Sequence, residues 1–134
     1  MNPLEEGTEL SLDFSKLRKV GATQQDVLPV VLQDADSGAV LFVGYANEAA
    51  LRESLRTRQA VLWSTSRNEL WHKGATSGDF LELVEVRVNC EQNSLLYRVR
   101  PRDGVCHTKT AEGSTRPTCY YRRLKEAEDA LEFD

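Results

Sequence analysis

The chain has 134 residues and a mass of 15.1 kDa, with 40% hydrophobic and 28% charged residues. This length accommodates one domain, and this composition excludes a mainly disordered or collagen-like chain. Seventeen basic against 21 acidic residues give a net charge of −4, which disfavours a general nucleic-acid-binding protein. No apolar run approaches the ~20 residues of a membrane span, and the start MNPLEEGTEL lacks the pattern of a secretory signal. We therefore expect a cytoplasmic protein with reduced thiols.

The N-terminal half predicts an arm, a hairpin and a helix. Residues 1–26 are polar and mixed, so we expect an N-terminal arm, with either a short helix or an extended arm over LSLDFSKLRKV (10–20). Two apolar runs flank DADSG (34–38), which has turn composition, and this pattern predicts a β-hairpin. Asn47 suits a helix N-cap, and the helix formers after it carry an apolar stripe.

The C-terminal half predicts further strands separated by two polar loops. The expected elements are a strand over 60–66, a glycine-containing loop over 67–79, two strands within 80–102, a polar loop over 103–118, a short strand over 119–121 and an amphipathic helix over 122–134. Long polar loops often bind ligands. The simplest architecture is one α+β domain over 27–121, mainly an antiparallel sheet with a few helices.

Three cysteines and two histidines supply the metal-binding chemistry of the chain. Cys90 by itself fits a small buried hydrophobe at a strand end. Cys106 and Cys119 flank a polar loop, which is an unusual place for inert buried thiols. Three thiolates could hold Zn²⁺ with its fourth position open, as in catalytic zinc sites, although the spacing is not that of a CxxC motif. His107, next to Cys106, is a candidate ligand or base, or a solvated loop residue.

Two further groups of polar residues could bind ligands. Asn89, Glu91 and Asn93 would share one face if their strand continued, but a single carboxylate makes a weak Mg²⁺ site. The polar segment 64–78 carries groups of the kind that bind phosphate or ribose, namely Ser64, Thr65, Ser66, Arg67, Lys73, Thr76, Ser77 and Gly78. The alternative for this segment is a solvated loop. Trp63 and Trp71 are either core residues or flank a flat base, and His72 fits a surface histidine.

The segments GYANEAAL, WSTSRNELWHKGATSGD, VNCEQNSLLYRV and GVCHT…CYY resemble the phosphoribosyl-AMP cyclohydrolase family of histidine biosynthesis, from about Val27 to Tyr121. The resemblance implies an intertwined homodimer with active sites shared between subunits. It implies a zinc-dependent hydrolase that adds zinc-bound water at C6 of N1-(5-phosphoribosyl)-AMP and breaks the N1–C6 bond, giving the ring-opened formimino-aminoimidazole carboxamide ribonucleotide. It also implies zinc ligation by Cys90, Cys106 and Cys119, with no nucleic-acid polymer or membrane as partner.

The resemblance assigns roles to the loop residues as well. His107 and Lys73 are the candidate catalytic residues, and a substrate with two phosphates suits the candidate binding residues Ser64, Ser66, Arg67, Trp71, Ser77 and Gly78. The family's DCDxD stretch is Asn89-Cys90-Glu91-Gln92-Asn93 here, which makes Mg²⁺ binding uncertain. Its KGE stretch is Lys73-Gly74-Ala75, its SRSR stretch is Ser64-Thr65-Ser66-Arg67, and the segment TAEGSTRP lengthens the loop before Cys119.

Two other functions remain open at this point. One is a diverged zinc hydrolase or deaminase that acts on another purine nucleotide, although no H-x-E…P-C-x-x-C pattern of the zinc deaminases occurs. The other is a non-catalytic, zinc-stabilised dimer that binds a nucleotide. The loop residues Arg67, Lys73 and His107 argue against the second, because a pure scaffold needs none of them.

Overall fold

A computed structural model describes residues 2–75 and 78–134 of the chain. Its helices are α1 (Pro3–Glu6), α2 (Lys16–Ala22) and α3 (Glu48–Thr57). Its strands are β1 (Leu28–Asp34), β2 (Val40–Ala46), β3 (Val61–Ser64), β4 (Glu69–His72), β5 (Leu81–Val88), β6 (Leu95–Pro101), β7 (Arg122–Lys125) and β8 (Ala130–Phe133). None of the described helices is long and apolar enough to cross a membrane.

A four-stranded sheet in the order β2-β1-β6-β5 forms the centre of the fold. The pairs β1–β2 and β5–β6 are antiparallel, whereas β1 and β6 are parallel. Both antiparallel pairs are formed by consecutive strands: β1–β2 is the predicted hairpin, and β5–β6 pairs the two strands predicted within 80–102. The α+β class with a mainly antiparallel sheet is therefore confirmed.

The core lies on one face of this sheet, where alternate residues of β1 and β6 are fully buried. Val30, Leu32, Tyr97 and Val99 have no exposed surface. Helix α3 packs against the core through Ala50, and its first turn is capped by the Asn47 side chain, which accepts a hydrogen bond from the Ala50 backbone N–H at 2.9 Å. The N-cap and helix predicted from the sequence are confirmed.

The expected loop over 67–79 contains a strand that the sequence analysis missed. Strand β4 pairs antiparallel with β3, with Leu62 opposite Trp71, and Asn68 in the connecting turn has a φ of +56°. Trp71 packs against the core, with its ring centroid 6.1 Å from that of Phe42. Burial of this indole on the core stabilises a strand whose flanking residues are polar.

The C-terminal helix expected over 122–134 is wrong, because β7 and β8 form a hairpin there. Leu124 lies opposite Leu131, and Asp129 in the turn has a φ of +51°. The backbone N–H of Leu131 donates to Thr8 O at 2.8 Å, so the N-terminal segment extends this small sheet. A helix this short is marginal by itself, and pairing with the distant N-terminal segment outweighs the helix propensity of its residues.

Two smaller expectations about strand ends are also wrong. No strand forms over 119–121, because the strand begins at Arg122. Strand β5 ends at Val88, so residues 89–94 form the turn to β6 rather than a continued strand face. Gln92, with a φ of +56°, gives this turn a left-handed residue that a strand would not tolerate.

Candidate active site

The structure brings two of the three cysteines together. Cys106 is buried, and its Sγ lies 3.0 Å from the Thr108 hydroxyl oxygen. Desolvation, followed by the adjacent Cys106 thiol, raises the pKa of Cys119 to about 12. The Cys119 backbone N–H donates to Leu41 O in β2 at 2.8 Å, which fixes this cysteine beside the sheet. The pair is therefore a preformed two-thiol centre.

The lengthened loop between these cysteines folds back on itself. Lys109 pairs with Thr115 in an antiparallel bridge, and the backbone N–H of Thr110 donates to Ser114 O at 2.8 Å. The backbone N–H of Cys106 donates to Arg116 O at 2.9 Å. Because the two ends of the loop meet, the extra residues project outwards as a turn and leave Cys119 next to Cys106.

Cys90 lies away from the other two cysteines in the same chain. It is exposed in the β5–β6 turn, so burial as a small hydrophobe is wrong. Strands β2, which contacts Cys119, and β5, which precedes Cys90, are at opposite edges of the four-stranded sheet. In the described ranges 2–75 and 78–134, no cluster of three or more Cys, His, Asp or Glu side chains is placed to hold a metal ion.

A cavity of about 620 Å³ opens beside the cysteine pair. It brings together predicted residues from three separate segments. Its lining is Arg67, Glu69, Leu70, Trp71, His72, Lys73, Gly74, Ala75, Asp79, Cys106, His107, Lys109 and Thr115. Strand β4 carries Leu70, Trp71 and His72 along one wall, and Lys73 follows directly after its end. The strand that the sequence did not predict therefore brings these residues into the same cavity as Cys106.

Lys73 is the buried cation of this cavity, with only 8% of its surface exposed. Desolvation lowers the pKa of its ammonium group, and the negative charges of Asp79, Cys119 and Cys106 oppose that shift. A buried cation beside two thiols favours their thiolate forms by Coulomb attraction. The site therefore places a positive charge beside Cys106 and Cys119, although at Cys119 this charge does not outweigh the desolvation that raises the pKa of the thiol.

Gly74 allows the chain to turn directly after Lys73. Its φ is +90°, and a Cβ atom there would lie 2.4 Å from the Asp79 carbonyl carbon and 2.5 Å from the Phe80 nitrogen. Only glycine accommodates both the left-handed backbone and this contact. The close approach of the backbone at 74 and 79–80 closes one wall of the cavity.

His107 lies at the rim of the cavity, and its side chain is 76% exposed. Its Nε2 contacts the carboxylate of Glu5, which belongs to α1 at the far end of the sequence. His107 is recognisable as a candidate in the sequence, whereas Glu5 is not. No local signal could have found Glu5, because the contact joins residues 102 positions apart.

The residues predicted to bind phosphate lie partly in a second cavity of about 290 Å³. Ser64 and Ser66 line it, and it shares Arg67 and Trp71 with the larger cavity. The Arg67 backbone N–H donates to Ser64 Oγ at 3.2 Å, which holds the β3–β4 turn closed. Arg67 thus stands between the two cavities.

Of two further residues in the polar segment 64–78, His72 lies in a cavity lining and Gly78 does not. Gly78 is exposed with a φ of +83° and belongs to neither lining. Ser77 lies outside the described residues. His72, expected at the surface, is half-buried and lines the larger cavity with Asp79 and Lys109. The segment ELWH carried a signal that His72 is not simply a surface residue, because in a strand Leu70 and His72 lie on the same face.

Asn89, Glu91 and Asn93 gather in the β5–β6 turn rather than along a strand. Asn89 Oδ1 accepts hydrogen bonds from the backbone N–H groups of Asn93 and Ser94, both at 2.9 Å. Asn89 Nδ2 donates to Asn93 Oδ1 at 2.7 Å, and Asn93 Nδ2 donates to Glu91 Oε2 at 3.2 Å. The three side chains flank the exposed Cys90 and are held by two hydrogen bonds to one another and two to the turn backbone.

The comparisons with known proteins agree with this arrangement. The family model for phosphoribosyl-AMP cyclohydrolase matches residues 42–121, which include β3, β4 and all three cysteines. A phosphoribosyl-AMP cyclohydrolase from Haloarcula marismortui is 46% identical over 99 residues, covering 69% of this chain and 82% of that protein. One from Sphingopyxis alaskensis is 44% identical over 107 residues, covering 80% of this chain and 79% of that protein.

A histidine biosynthesis bifunctional protein from Thermus thermophilus is 44% identical over 122 residues, or 91% of this chain. The match spans only 53% of that bifunctional protein. The family match and the identities confirm the resemblance noted in the sequence. The chain belongs to the phosphoribosyl-AMP cyclohydrolase family of enzymes.

Proposed function

We propose that this chain hydrolyses the adenine ring of N1-(5-phosphoribosyl)-AMP at the N1–C6 bond, as a phosphoribosyl-AMP cyclohydrolase of histidine biosynthesis. The observation that carries the proposal is the 620 Å³ cavity, in which Arg67, Trp71 and Lys73 face Cys106 and His107. A cation, an aromatic ring and the Cys106 thiol in one cavity, with Cys119 next to Cys106, suit a phosphorylated purine beside a metal. Family membership supports the same substrate.

The proposed metal is Zn²⁺, held by Cys106 and Cys119 together with Cys90. The donor set fits, because thiolates favour Zn²⁺ over the hard divalent cations and Cys106 already lies next to Cys119. Three protein ligands leave one position open, and Zn²⁺ in such a site lowers the pKa of a coordinated water to about 7. Thiolate ligands need a reducing compartment, so the proposal includes a cytoplasmic location.

The proposal includes a homodimer whose sites draw ligands from both chains. One chain brings two thiols together and leaves Cys90 exposed in a turn at another edge of the sheet. A symmetric partner could supply its Cys90 to the two-thiol centre, and a two-fold axis would then generate two equivalent sites. The separation of Cys90 within one chain supports this assembly.

The chain's own residues supply binding and proton transfer. Ring opening adds a hydroxyl group to C6, breaks the N1–C6 bond and returns a proton to N1. His107 at the cavity rim exchanges these protons, and the charge of Lys73 holds a substrate phosphate or stabilises developing negative charge. Arg67 suits the second phosphate through its planar guanidinium. Trp71 offers the purine an aromatic surface.

We propose that any Mg²⁺ site here is weaker than one built from three aspartates. Glu91 is the one carboxylate beside Cys90, and Asn89 and Asn93 offer neutral carbonyl oxygens. Both amides are also used in the turn, where Asn89 accepts two backbone hydrogen bonds. Their remaining donors could contact a substrate phosphate or ribose in place of a metal bridge.

The deciding experiment incubates the purified protein with N1-(5-phosphoribosyl)-AMP and follows the absorbance of the ring-opened product. The expected result is turnover that disappears after zinc removal and returns when Zn²⁺ is added. Turnover of another purine nucleotide but not this one would identify a diverged hydrolase. Nucleotide binding without turnover, in a zinc-replete dimer, would identify a non-catalytic binding protein.

A further inference from the structure

The N-terminal segment, defined here as residues 2–9, is attached to the candidate site through several independent contacts. Glu6 forms two hydrogen bonds with Arg116, at 2.7 and 2.9 Å, and the Arg116 guanidinium lies 4.0 Å from the Tyr121 ring centroid. The Tyr121 hydroxyl donates to Glu5 O at 2.6 Å. Arg116 also anchors Cys106 through its backbone oxygen. The N-terminal segment is therefore fixed to the loop that carries the thiol pair.

These contacts direct the Glu5 carboxylate at His107. Asn2 caps α1 by accepting from the Leu4 backbone N–H at 3.0 Å, and its Nδ2 donates to Glu5 Oε1 at 3.0 Å. The other carboxylate oxygen, Oε2, contacts His107 Nε2. One oxygen is thus held by Asn2 while the second is available to the imidazole.

We propose that Glu5 is a positioning residue for His107 in the ring-opening reaction. An anionic carboxylate accepts but does not donate, so it holds neutral His107 as the tautomer with hydrogen on Nε2. The Nδ1 lone pair then remains available to take the proton that the reaction releases. The inference rests on the proposed function, and it adds to the site a residue outside the segment that the family model matches.

A purely structural role accounts poorly for this contact. The His107 side chain is 76% exposed, and a pair at such a surface contributes little to folding stability. The N-terminal segment is already held by Glu6, Tyr121 and the pairing of Glu9 with Ala130. What the Glu5 carboxylate adds is a fixed orientation and tautomer for a flexible surface imidazole.

The test compares Glu5→Ala and Glu5→Gln with the matched control Glu9→Gln in the full-length, zinc-loaded protein. Glu9 is exposed in the same segment and contributes only its backbone to the bridge with Ala130. Glu5→Ala is expected to lower kcat about tenfold and to leave KM within about twofold of the wild-type value. A loss of about this size is typical when a residue that orients a functional side chain is removed. Glu5→Gln keeps only one acceptor for the two donors Asn2 Nδ2–H and His107 Nε2–H, so it is expected to recover only part of the loss. A Glu5→Ala variant with kcat within about twofold of the Glu9→Gln control refutes the proposal.

A second measurement separates positioning from folding. Nitrogen-15 NMR of the two histidines distinguishes the tautomers, and His107→Asn assigns the signals because only His72 then remains. Wild type is expected to show His107 with hydrogen on Nε2, and Glu5→Ala a mixture, with His72 and the melting temperature unchanged. The same His107 tautomer in both proteins refutes the proposal. A wild type without turnover refutes the proposed function instead, and the NMR result still decides whether Glu5 fixes the ring.

Discussion

Mixing two inactive variants tests whether each zinc site draws ligands from both chains. Cys90→Ser removes the thiol that lies apart, and Cys106→Ser removes one member of the pair. In a mixed dimer, one site would combine Cys106 and Cys119 of the Cys90→Ser chain with the intact Cys90 of the Cys106→Ser chain. The other site would lack both the Cys90 thiol and the Cys106 thiol. Random reassortment makes half of the dimers mixed, so about a quarter of wild-type activity and zinc should return.

The control and the refutation follow from the same geometry. A mixture of Cys106→Ser and Cys119→Ser has both defects in the same two-thiol centre, so no mixed dimer contains an intact site. The assay refolds or coexpresses each pair, then measures turnover and bound zinc per chain. Failure of the Cys90→Ser and Cys106→Ser mixture to exceed this control, although mixed dimers are detected by mass spectrometry, would refute a site shared between chains.

Three further predictions concern the metals, the backbone and the buried cation. Activity in zinc-replete buffer should persist without Mg²⁺, and the pair Asn89→Asp with Asn93→Asp should restore some dependence; a strict millimolar Mg²⁺ requirement of wild type would contradict this. Gly74→Ala should destabilise the protein by about 1–3 kcal/mol in urea unfolding, and by more than Gly38→Ala, which shares a positive φ but meets no atom within 4 Å. Equal losses at the two glycines would count against the close backbone contact. Because desolvation lowers the pKa of Lys73 in the fold, the unfolded chain binds that proton more tightly, and stability rises with pH until the unfolded lysine also deprotonates near pH 10.4. Lys73→Met should therefore raise the melting temperature of the metal-free protein at pH 7, and this gain should shrink as the pH rises through the lowered pKa of Lys73 and vanish near pH 10.4. An unchanged melting temperature at pH 7 would refute a desolvation cost.

The strongest sequence patterns predicted their elements well because the information is local. The apolar runs around residues 34–38 and the capping residue Asn47 fix a hairpin and a helix within a few residues of chain. The same locality explains the errors. The segment after Arg122 has helix-forming residues but forms a hairpin, and this hairpin is bonded in turn to Thr8, which no window of sequence around it contains. Strand β4 depends likewise on burial of Trp71 against Phe42.

The sequence by itself determined the chemical inventory of the site and the family. Cys90, Cys106, Cys119, His107 and Lys73 are recognisable from residue type, order and spacing, since the motifs that carry them are continuous segments. Tertiary structure decided which of them meet. It places the free thiols of Cys106 and Cys119 next to each other and leaves Cys90 apart from them. It also brings the carboxylate of Glu5 into contact with His107. These distances follow from strand order and from the docking of the two chain ends, and both depend on burial and hydrogen bonding between residues far apart in sequence.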